Sequence, residues 1–233
     1  MQRTRSAIKT GPHPISRAFI DTLPVMFGYI PVGMTFGFLL VKAGLVWYAA
    51  LIMSVFVFSG ATQFLMLSFI AAGTPLPMAL FTMLLLNLRH AFFGLSLLRK
   101  YGGTGMLKPY LIFALTDETY ALAASALPNE SIRKRYFFFI SIFDHLYWII
   151  GSAVGALIGA AVHVELAGLD FALAALFTVL VIEQWKAVRR LTPFIVAAVS
   201  GILSLLFIPH AYMLLAAIVA GVIILLVLRP RNT

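Results

Sequence analysis

Long stretches of this chain are apolar on every face that a helix would present. In Ala18–Val41, Leu45–Ala72 and Ile132–Val162, apolar residues continue without the polar stripe of a soluble amphipathic helix. Each stretch is longer than the ~20 residues that a helix needs to cross the hydrocarbon of a bilayer. Lipid must therefore cover much of the chain, and the sequence predicts an all-α, polytopic transmembrane helical bundle in a lipid bilayer.

The charges are grouped in a way that suits membrane topology. Hydrophobic residues make up 62% of the 233 residues, charged residues make up 11%, and the mean hydropathy is +1.01. The net charge is +9, but most cations lie between or beyond the apolar segments, where they orient helices and meet anionic lipids. No nucleic-acid partner is expected. The clusters are Arg3–Arg17, Arg99–Lys108, Arg133–Arg135, Lys186–Arg190 and Arg229–Arg231.

Motifs for catalysis and for metal binding are missing from the sequence. The chain has no cysteine, so it can form neither a disulfide nor a thiolate metal site. It also lacks the serine-hydrolase, zinc-protease and phosphate-loop motifs. We therefore expect no cofactor, no metal and no catalytic residue, and a protein that is not an enzyme.

Proline, glycine and charge clusters divide the chain into about seven to eight membrane segments. The turns between them are too short to fold alone, so we expect one transmembrane domain at 18–228. A basic cytoplasmic tail at 1–17 precedes this domain and a short C-terminal tail at 229–233 follows it. The segments are 18–41, 45–72, 76–98, 109–127, 136–162, 170–186, 193–208 and 211–228.

The topology of the middle of the chain has two solutions. Eight crossings from a cytoplasmic N-terminus would leave Arg99–Lys108 outside, against the positive-inside rule. The segment 109–127 is short and carries Asp117 and Glu118, so it can instead enter and leave by one face, with 45–72 broken as compensation. The sequence leaves both solutions open.

A weak internal repeat relates the two halves of the chain. Gly33-x-x-x-Gly37, followed by Gly44-Leu45, resembles Gly155-x-x-x-Gly159, followed by Gly168-Leu169. Small residues four apart let helix backbones approach closely, so both halves can simply share a packing motif. The alternative is a duplicated transporter with a substrate site between its halves.

Two groups of residues are candidates for binding a substrate. Pro31 and Gly33 lie in a first segment rich in helix breakers, and we expect a half-helix to start there and offer free N–H groups to a carboxylate. A simple packing kink is the alternative. The second group places polar side chains around a glycine in an apolar segment, where they bind a ligand or hydrogen-bond between helices. It comprises Ser59, Gly60, Thr62 and Gln63.

Charged residues deep in the apolar segments form a third group. Arg89, beside Asn87 and His90, lies too far from either interface to reach water, and an isolated cation there costs at least ~2.5–3.5 kcal/mol. We expect it to pair with a carboxylate, either to fix helix register or to hold a substrate, and Asn87 is a further candidate for binding the substrate. The other candidates for an ion pair or for a coupling proton are His90, Asp117, Glu118 and Asp144.

Four polar motifs in apolar surroundings resemble the AzlC family, the large subunit of branched-chain amino-acid exporters. Their order along the chain makes the resemblance specific. The motifs are Tyr29-Ile30-Pro31-Val32-Gly33-x-x-Phe36-Gly37, Phe58-Ser59-Gly60-Ala61-Thr62-Gln63-Phe64, Leu86-Asn87-Leu88-Arg89-His90-x-x-x-Gly94 and Leu115-Thr116-Asp117-Glu118.

The resemblance implies a multi-pass protein of the bacterial cytoplasmic (inner) membrane, and the basic tail Arg3–Arg17 indicates a cytoplasmic N-terminus. It also implies a small hydrophobic partner subunit of the AzlD type and export of a neutral apolar amino acid, such as valine, leucine, isoleucine or methionine. Two other classes stay open on the residues alone. One is a membrane scaffold that transports nothing, and the other is a membrane-embedded enzyme that uses the buried acids and His90.

Overall fold

The computed structural model describes residues 14–126, 130–162 and 189–228, with a few positions between 178 and 185. These residues form helices and no strand, which confirms the all-α class. The predicted segment 170–186, the tails, and Gly168-Leu169 of the repeat lie wholly or mostly outside them. The helices are α1 Pro14–Lys42, α2 Trp47–Phe56, α3 Gly60–Ala71, α4 Leu76–Leu97, α5 Lys108–Phe113, α6 Asp117–Ser125, α7 Glu130–Ala161, α8 Leu191–Phe207 and α9 His210–Val227.

Three of the described helices are long and apolar enough to cross a membrane by length and composition. They are α1, α4 and the part of α7 from Ile132 to Ala161. Helices α2, α3, α8 and most of α9 are apolar but shorter. The chain is therefore a helical membrane bundle with several broken segments, as its apolar runs predict.

The chain divides into two compact units. The first comprises Met1–Gly60 and Leu88–His163, and the second comprises Ala61–Asn87 and Val164–Thr233. In the second unit, α8 and α9 pack together as a hairpin that turns at Pro209, with Gly221 of α9 close to Ser200 of α8. The charged candidates of the sequence lie in the first unit.

Parallel packing of α1 on α7 forms the centre of the first unit. Arg17 lies over the Tyr136 ring near the start of both helices, and Lys42 donates to the Val162 carbonyl at their far ends. Between these points, a Cβ atom added to Gly33 would lie 3.1 Å from the Trp148 carbonyl oxygen. Contacts in this order along both helices mean that the two run in the same direction.

Glycine lets the backbones of α1 and α7 touch. A side chain on Gly37 would collide with the backbone of Ser152, and one on Gly155 would collide with the backbone of Met34. Gly151 is equally close to α1, because its Cβ would lie 2.6 Å from the Ile30 carbonyl oxygen. The two glycine motifs of the predicted repeat therefore form one helix interface.

The predicted start of a half-helix at Pro31 is wrong. α1 continues through both Pro24 and Pro31, and Thr35 one turn later donates to the Pro31 carbonyl at 3.0 Å. Proline removes one helical hydrogen bond, but the packing of Gly33 on α7 holds this turn helical. Gly33 is covered by the backbone of α7, so a ligand has no room to approach it.

Helix breaks occur instead in two other segments. The predicted segment 45–72 is interrupted at 57–59, between α2 and α3, and the segment 109–127 is interrupted at 114–116, between α5 and α6. Thr116 caps α6, because its Oγ1 accepts from the Thr119 N–H at 3.2 Å. Asp117 and Glu118 follow in the first turn, where the helix dipole favours negative charge.

The basic loop 99–108 packs at the end of the first unit where α1 and α7 begin. Tyr101 is fully buried there, and Arg133 near the start of α7 donates to the Gly102 carbonyl at 2.9 Å. The loop therefore lies at the same end as Arg17 and the basic cluster 133–135. The buried core at this end comprises Ala18, Leu97, Tyr101, Leu111, Leu115, Ala123, Tyr136, Phe137 and Ile140.

Helices α5 and α6 leave this end and return to it. Lys100, before α5, donates to the carbonyl of Ala124 near the end of α6 at 2.6 Å. Lys100 and Ala124 are in contact, so the segment between them, which includes nearly all of 109–126, leaves one end of the unit and returns to it. This geometry favours the solution in which the segment enters and leaves by one face, which removes the conflict with the positive-inside rule.

Candidate functional site

Hydrogen bonds at the start of α6 link it to the middle of α1. The Tyr29 hydroxyl lies 2.6 Å from Glu118 Oε2 and also 2.6 Å from Thr116 Oγ1. Tyr29 is 9% exposed and Thr116 is 7% exposed, whereas Glu118 is exposed. The break before α6 is therefore fixed to α1 by polar contacts, and its acid stays accessible.

The same polar contacts continue inward to α7. Thr116 Oγ1 lies 3.0 Å from Thr119 Oγ1, and the Thr119 hydroxyl donates to Asp144 Oδ2 at 2.8 Å. Asp144 is completely buried, and within the described part of the chain its Oδ1 has no hydrogen-bond partner. Three helices thus contribute to one polar network around two carboxyl groups.

An aromatic layer covers this network on the side of the first helix break. The ring of Phe58, in the break at 57–59, stacks on His145 with 4.4 Å between ring centroids and meets Tyr29 edge to face at 6.2 Å. Trp148 packs edge to face on Tyr29 at 5.4 Å, and a Cβ on Gly60 would lie 2.8 Å from its ring. Both helix breaks therefore contact the same part of α1 and α7.

His145 connects the layer to α2 and α5. Its Nε2 lies 3.1 Å from the Ser54 carbonyl oxygen, and its Nδ1 lies 3.3 Å from the Tyr110 hydroxyl. The side chain is 6% exposed. These contacts hold α2, α5 and α7 together, so His145 is fixed on both ring nitrogens.

Arg89 lies against Asp117 at the first turn of α6. Its Nη1 atom is 2.5 Å from Asp117 Oδ2, while its buried Nε has no partner in the described part of the chain. The two side chains are 36% and 35% exposed, so the pair is not enclosed by this chain. His90, the next residue, meets Phe93 edge to face at 5.9 Å.

The remaining polar candidates belong mainly to the second unit. Asn87 donates to Thr62 Oγ1 at 2.6 Å and to the carbonyl of Met83, one turn earlier, at 2.8 Å. Thr62 is 6% exposed and Gln63 is completely buried. These contacts join α3 to the first part of α4, so Asn87 and Thr62 do hold two helices together.

The structure therefore sorts the predicted residues into separate groups. Arg89 and Asp117 meet, Glu118 and Asp144 join one network, and Asn87 and Thr62 join another. Pro31 is exposed on α1 and Gly33 is covered by α7. Ser59 lies in the first break and Gly60 begins α3. Among the described residues, no group of three or more histidines and acids could hold a metal ion.

Reasoning from the sequence missed Tyr29, Thr116 and Thr119 as site residues. Thr116 had a usable signal, because a threonine directly before Asp117-Glu118 is typical of a helix N-cap. A tyrosine in an apolar helix gives no such signal, since its ring suits the core as well as a site.

Comparison with known proteins places the chain among membrane proteins. The family model described as AzlC protein matches residues 24–162. An uncharacterized membrane protein of Helicobacter pylori is 36% identical over 94% of this chain and 98% of its own length. The branched-chain amino acid transport protein AzlC of Bacillus subtilis is 37% identical over 74% of this chain and 68% of its own length.

A further relative is the inner membrane protein YgaZ of Escherichia coli, which is 30% identical over 90% of both chains. No solved structure matches this chain. The matched region 24–162 contains both helix breaks, the polar network and the Arg89–Asp117 pair. The chain belongs to the AzlC family.

Proposed function

We propose that this chain is the larger subunit of a secondary transporter that exports branched-chain or similar neutral apolar amino acids. Candidate substrates are valine, leucine, isoleucine and methionine. The relation to the Bacillus transport protein supports the class of substrate. The structural observation that carries the proposal is the partly exposed pair of Arg89 and Asp117 beside a helix break.

This pair has the chemistry that an amino acid needs. A zwitterion carries a carboxylate and an ammonium group, and Arg89 and Asp117 present one opposite charge to each. Asp117 contacts Nη1 of the Arg89 guanidinium, and its buried Nε has no partner in the described part of the chain. Arginine suits carboxylates because its planar donors can bind both oxygens. The aromatic layer around Phe58 and Trp148 offers apolar surface for a branched side chain.

The polar residues at the first break are proposed to complete the site. Ser59 and Gly60 lie where α2 ends and α3 begins, and Thr62 and Gln63 occupy the first turn of α3. Hydrogen-bonding groups at a helix break are typical of transporters that hold small polar substrates inside the membrane. Asn87 would act here by fixing Thr62.

We further propose a bacterial cytoplasmic (inner) membrane location with the N-terminus in the cytoplasm. The support is the gathering of Arg17, the loop 99–108 and the cluster at 133–135 at one end of the first unit, as the positive-inside rule requires of a cytoplasmic face. On this proposal, 18–228 is one transmembrane domain. The partner would be a small hydrophobic subunit of the AzlD type, and no catalytic role is proposed.

The test measures export in cells that make this chain with its small partner. Cells fed a dipeptide that contains a branched-chain amino acid should hold less of that amino acid internally than cells without the pair. Ser59→Ala and Gln63→Ala should each weaken export, because a hydrogen bond to a charged group is worth ~1.5–3 kcal/mol, or about tenfold and more in affinity. Ser125→Ala is the matched control, since among the described residues that hydroxyl donates only to carbonyls of α6.

Two results would count against the proposal. Normal export by both Ser59→Ala and Gln63→Ala would remove the first break from the substrate site. No efflux of any neutral amino acid from a correctly assembled pair would contradict the exporter itself, and would favour a membrane scaffold. Full export without the partner would contradict the proposed partner subunit.

A further inference from the structure

We propose that Glu118 and Asp144 share one proton, which moves between them along a chain of hydroxyl groups. The chain consists of the hydroxyls of Tyr29, Thr116 and Thr119. The proton movement itself follows from the hydrogen bonds of the first unit. Its use as the coupling ion for export rests on the proposed function.

The chain of hydroxyl groups is continuous from an exposed acid, Glu118, to a buried one, Asp144. Glu118 Oε2 lies 2.6 Å from the Tyr29 hydroxyl, which lies 2.6 Å from Thr116 Oγ1. Thr116 Oγ1 lies 3.0 Å from Thr119 Oγ1, which lies 2.8 Å from Asp144 Oδ2. All four contacts are within the range of O–H···O hydrogen bonds. The hydroxyl hydrogens can point along the chain in either direction.

Counting hydrogens shows that one proton is lacking. The four contacts join five oxygen atoms, and each contact needs one hydrogen. A hydroxyl group supplies only one, so Tyr29, Thr116 and Thr119 supply three. If both carboxyl groups are ionised, one contact brings two oxygens together with nothing between them. A proton on either carboxyl group provides the fourth hydrogen.

Two arrangements fill the chain completely. With the proton on Asp144, each group donates toward Glu118, and with the proton on Glu118, each group donates toward Asp144. Conversion between them breaks four O–H bonds and forms four, so one proton leaves one carboxyl group and one arrives at the other. Thr116 can take part in both, because the Thr119 N–H uses only one of its two lone pairs.

The surroundings of the two acids differ enough to give the movement a direction. Glu118 is exposed on the surface of this chain, so it is the end of the network that can exchange a proton with its surroundings. Asp144 is completely buried and its Oδ1 has no partner among the described residues, so an ionised form there is costly. The buried acid therefore stores the proton and the exposed acid delivers it.

Other titratable groups lie near the chain of hydroxyl groups, but they do not take the place of Glu118 or Asp144 at its ends. Within the described ranges, neither Glu118 nor Asp144 forms an ion pair, and Arg89 is engaged by Asp117. The nearby titratable groups are Asp117 beside Glu118 in α6, its partner Arg89 on α4, His145 beside Asp144 in α7, and Tyr110 on α5 and Tyr136 on α7, which interact electrostatically with the Asp144 carboxyl.

Infrared spectroscopy of the full-length protein in lipid tests the shared proton without any substrate. The wild-type protein should show the carbonyl band of a protonated carboxyl group near neutral pH. Asp144→Asn should lose that band, because the amide supplies the missing hydrogen and Glu118 stays ionised. Thr119→Val should keep a band but shift its frequency, since the carboxyl group loses its hydrogen-bond partner.

Transport in proteoliposomes tests the coupling. Export should speed up when the outer face is the more acidic one, because a proton enters as the amino acid leaves. Thr119→Val and Tyr29→Phe should lose about tenfold or more of this gradient-driven flux, and this loss should exceed any loss of amino-acid exchange at equal pH. The matched controls are Thr82→Val, a buried threonine of the second unit, and Tyr147→Phe, whose hydroxyl contacts Thr22. Both controls should behave like wild type.

The two measurements separate the possible failures. A spectrum without a protonated carboxyl band, or one that Asp144→Asn leaves unchanged, overturns the shared proton even if export occurs. A band that Asp144→Asn removes, together with no flux of any neutral amino acid, supports the shared proton and contradicts the proposed function alone. Gradient-driven flux that survives both Thr119→Val and Tyr29→Phe overturns the hydroxyl chain.

Discussion

Arg89 lies in a helix whose other residues are almost all apolar or small, and its charge is compensated by Asp117. The two atoms are 2.5 Å apart, but about a third of each side chain is exposed. Removal of one partner leaves the other charge uncompensated at membrane depth, whereas removal of both leaves none. Replacing one residue of the pair should therefore lower the stability of the protein more than replacing both.

We expect Arg89→Ala or Asp117→Ala to lower the thermal midpoint of the purified protein more than the double variant does. A difference of 1 kcal/mol corresponds to ~2–4 °C in a chain of this size, and we expect at least that. The measurement is thermal unfolding in a lipid mimic, with Lys134→Ala as the control for loss of an exposed cation. A double variant that is no better folded than Arg89→Ala would contradict this role of the pair.

Single residues differ in how much their sequence context reveals. The need of Arg89 for a carboxylate follows from the cost of burying a charge in the membrane. The sequence shows this directly, because it places an arginine deep in an apolar segment. The partners of Tyr29 and Asp144 do not follow in this way. These partners lie on α6 or at its N-cap, and a hydrogen bond between residues 89 positions apart depends on packing that the local sequence does not state.

Among the elements, the hairpin of α5 and α6 is the one on which the proposed membrane topology depends. Its two ends meet through Lys100 and Ala124, and the loop before it is bonded to Arg133. We expect a cysteine at Met106, which is 96% exposed, and one at Lys134 to be labelled from the same, cytoplasmic face. Single-cysteine labelling is clean because the chain has no cysteine.

A third position serves as the control for this labelling. Val46 is 50% exposed and follows the opposite end of α1, so Val46→Cys should be labelled from the outer face. If Met106→Cys and Lys134→Cys were labelled from opposite faces, the segment 109–127 would cross the membrane. The proposed single cytoplasmic face for the basic clusters would then be wrong.

The sequence predicts where most elements lie but not where they break. Apolar runs between charges and prolines set the described segments to within a few residues, because burial in lipid requires such runs. The break at 57–59 contains no proline, and α1 continues through two. Whether a turn stays helical depends on what packs against it, and for Pro31 that is the backbone of α7.

In the molecule as a whole, the weak repeat acquires a physical meaning in the first unit. Met34 meets Gly155 and Phe38 meets Gly159, so contacts join residues 121 positions apart. The predicted period of 122 for the glycines of the two motifs is close to this spacing. Parallel packing of related helices suits an axis along the membrane normal rather than an inverted repeat. Sequence periodicity alone cannot distinguish the two.

Two helices whose backbones touch over most of their length have no room to slide, and they part only by losing that contact. The α1–α7 pair should therefore stay rigid during transport, and α2, α5 and α6, which pack against it, should be the parts of the first unit that move. A disulfide between Val41→Cys and Gly159→Cys tests this, because a Cβ on Gly159 would lie 3.2 Å from that of Val41. Export should be nearly the same whether the disulfide is formed or reduced. Loss of export on oxidation would show that the α1–α7 pair itself moves during transport.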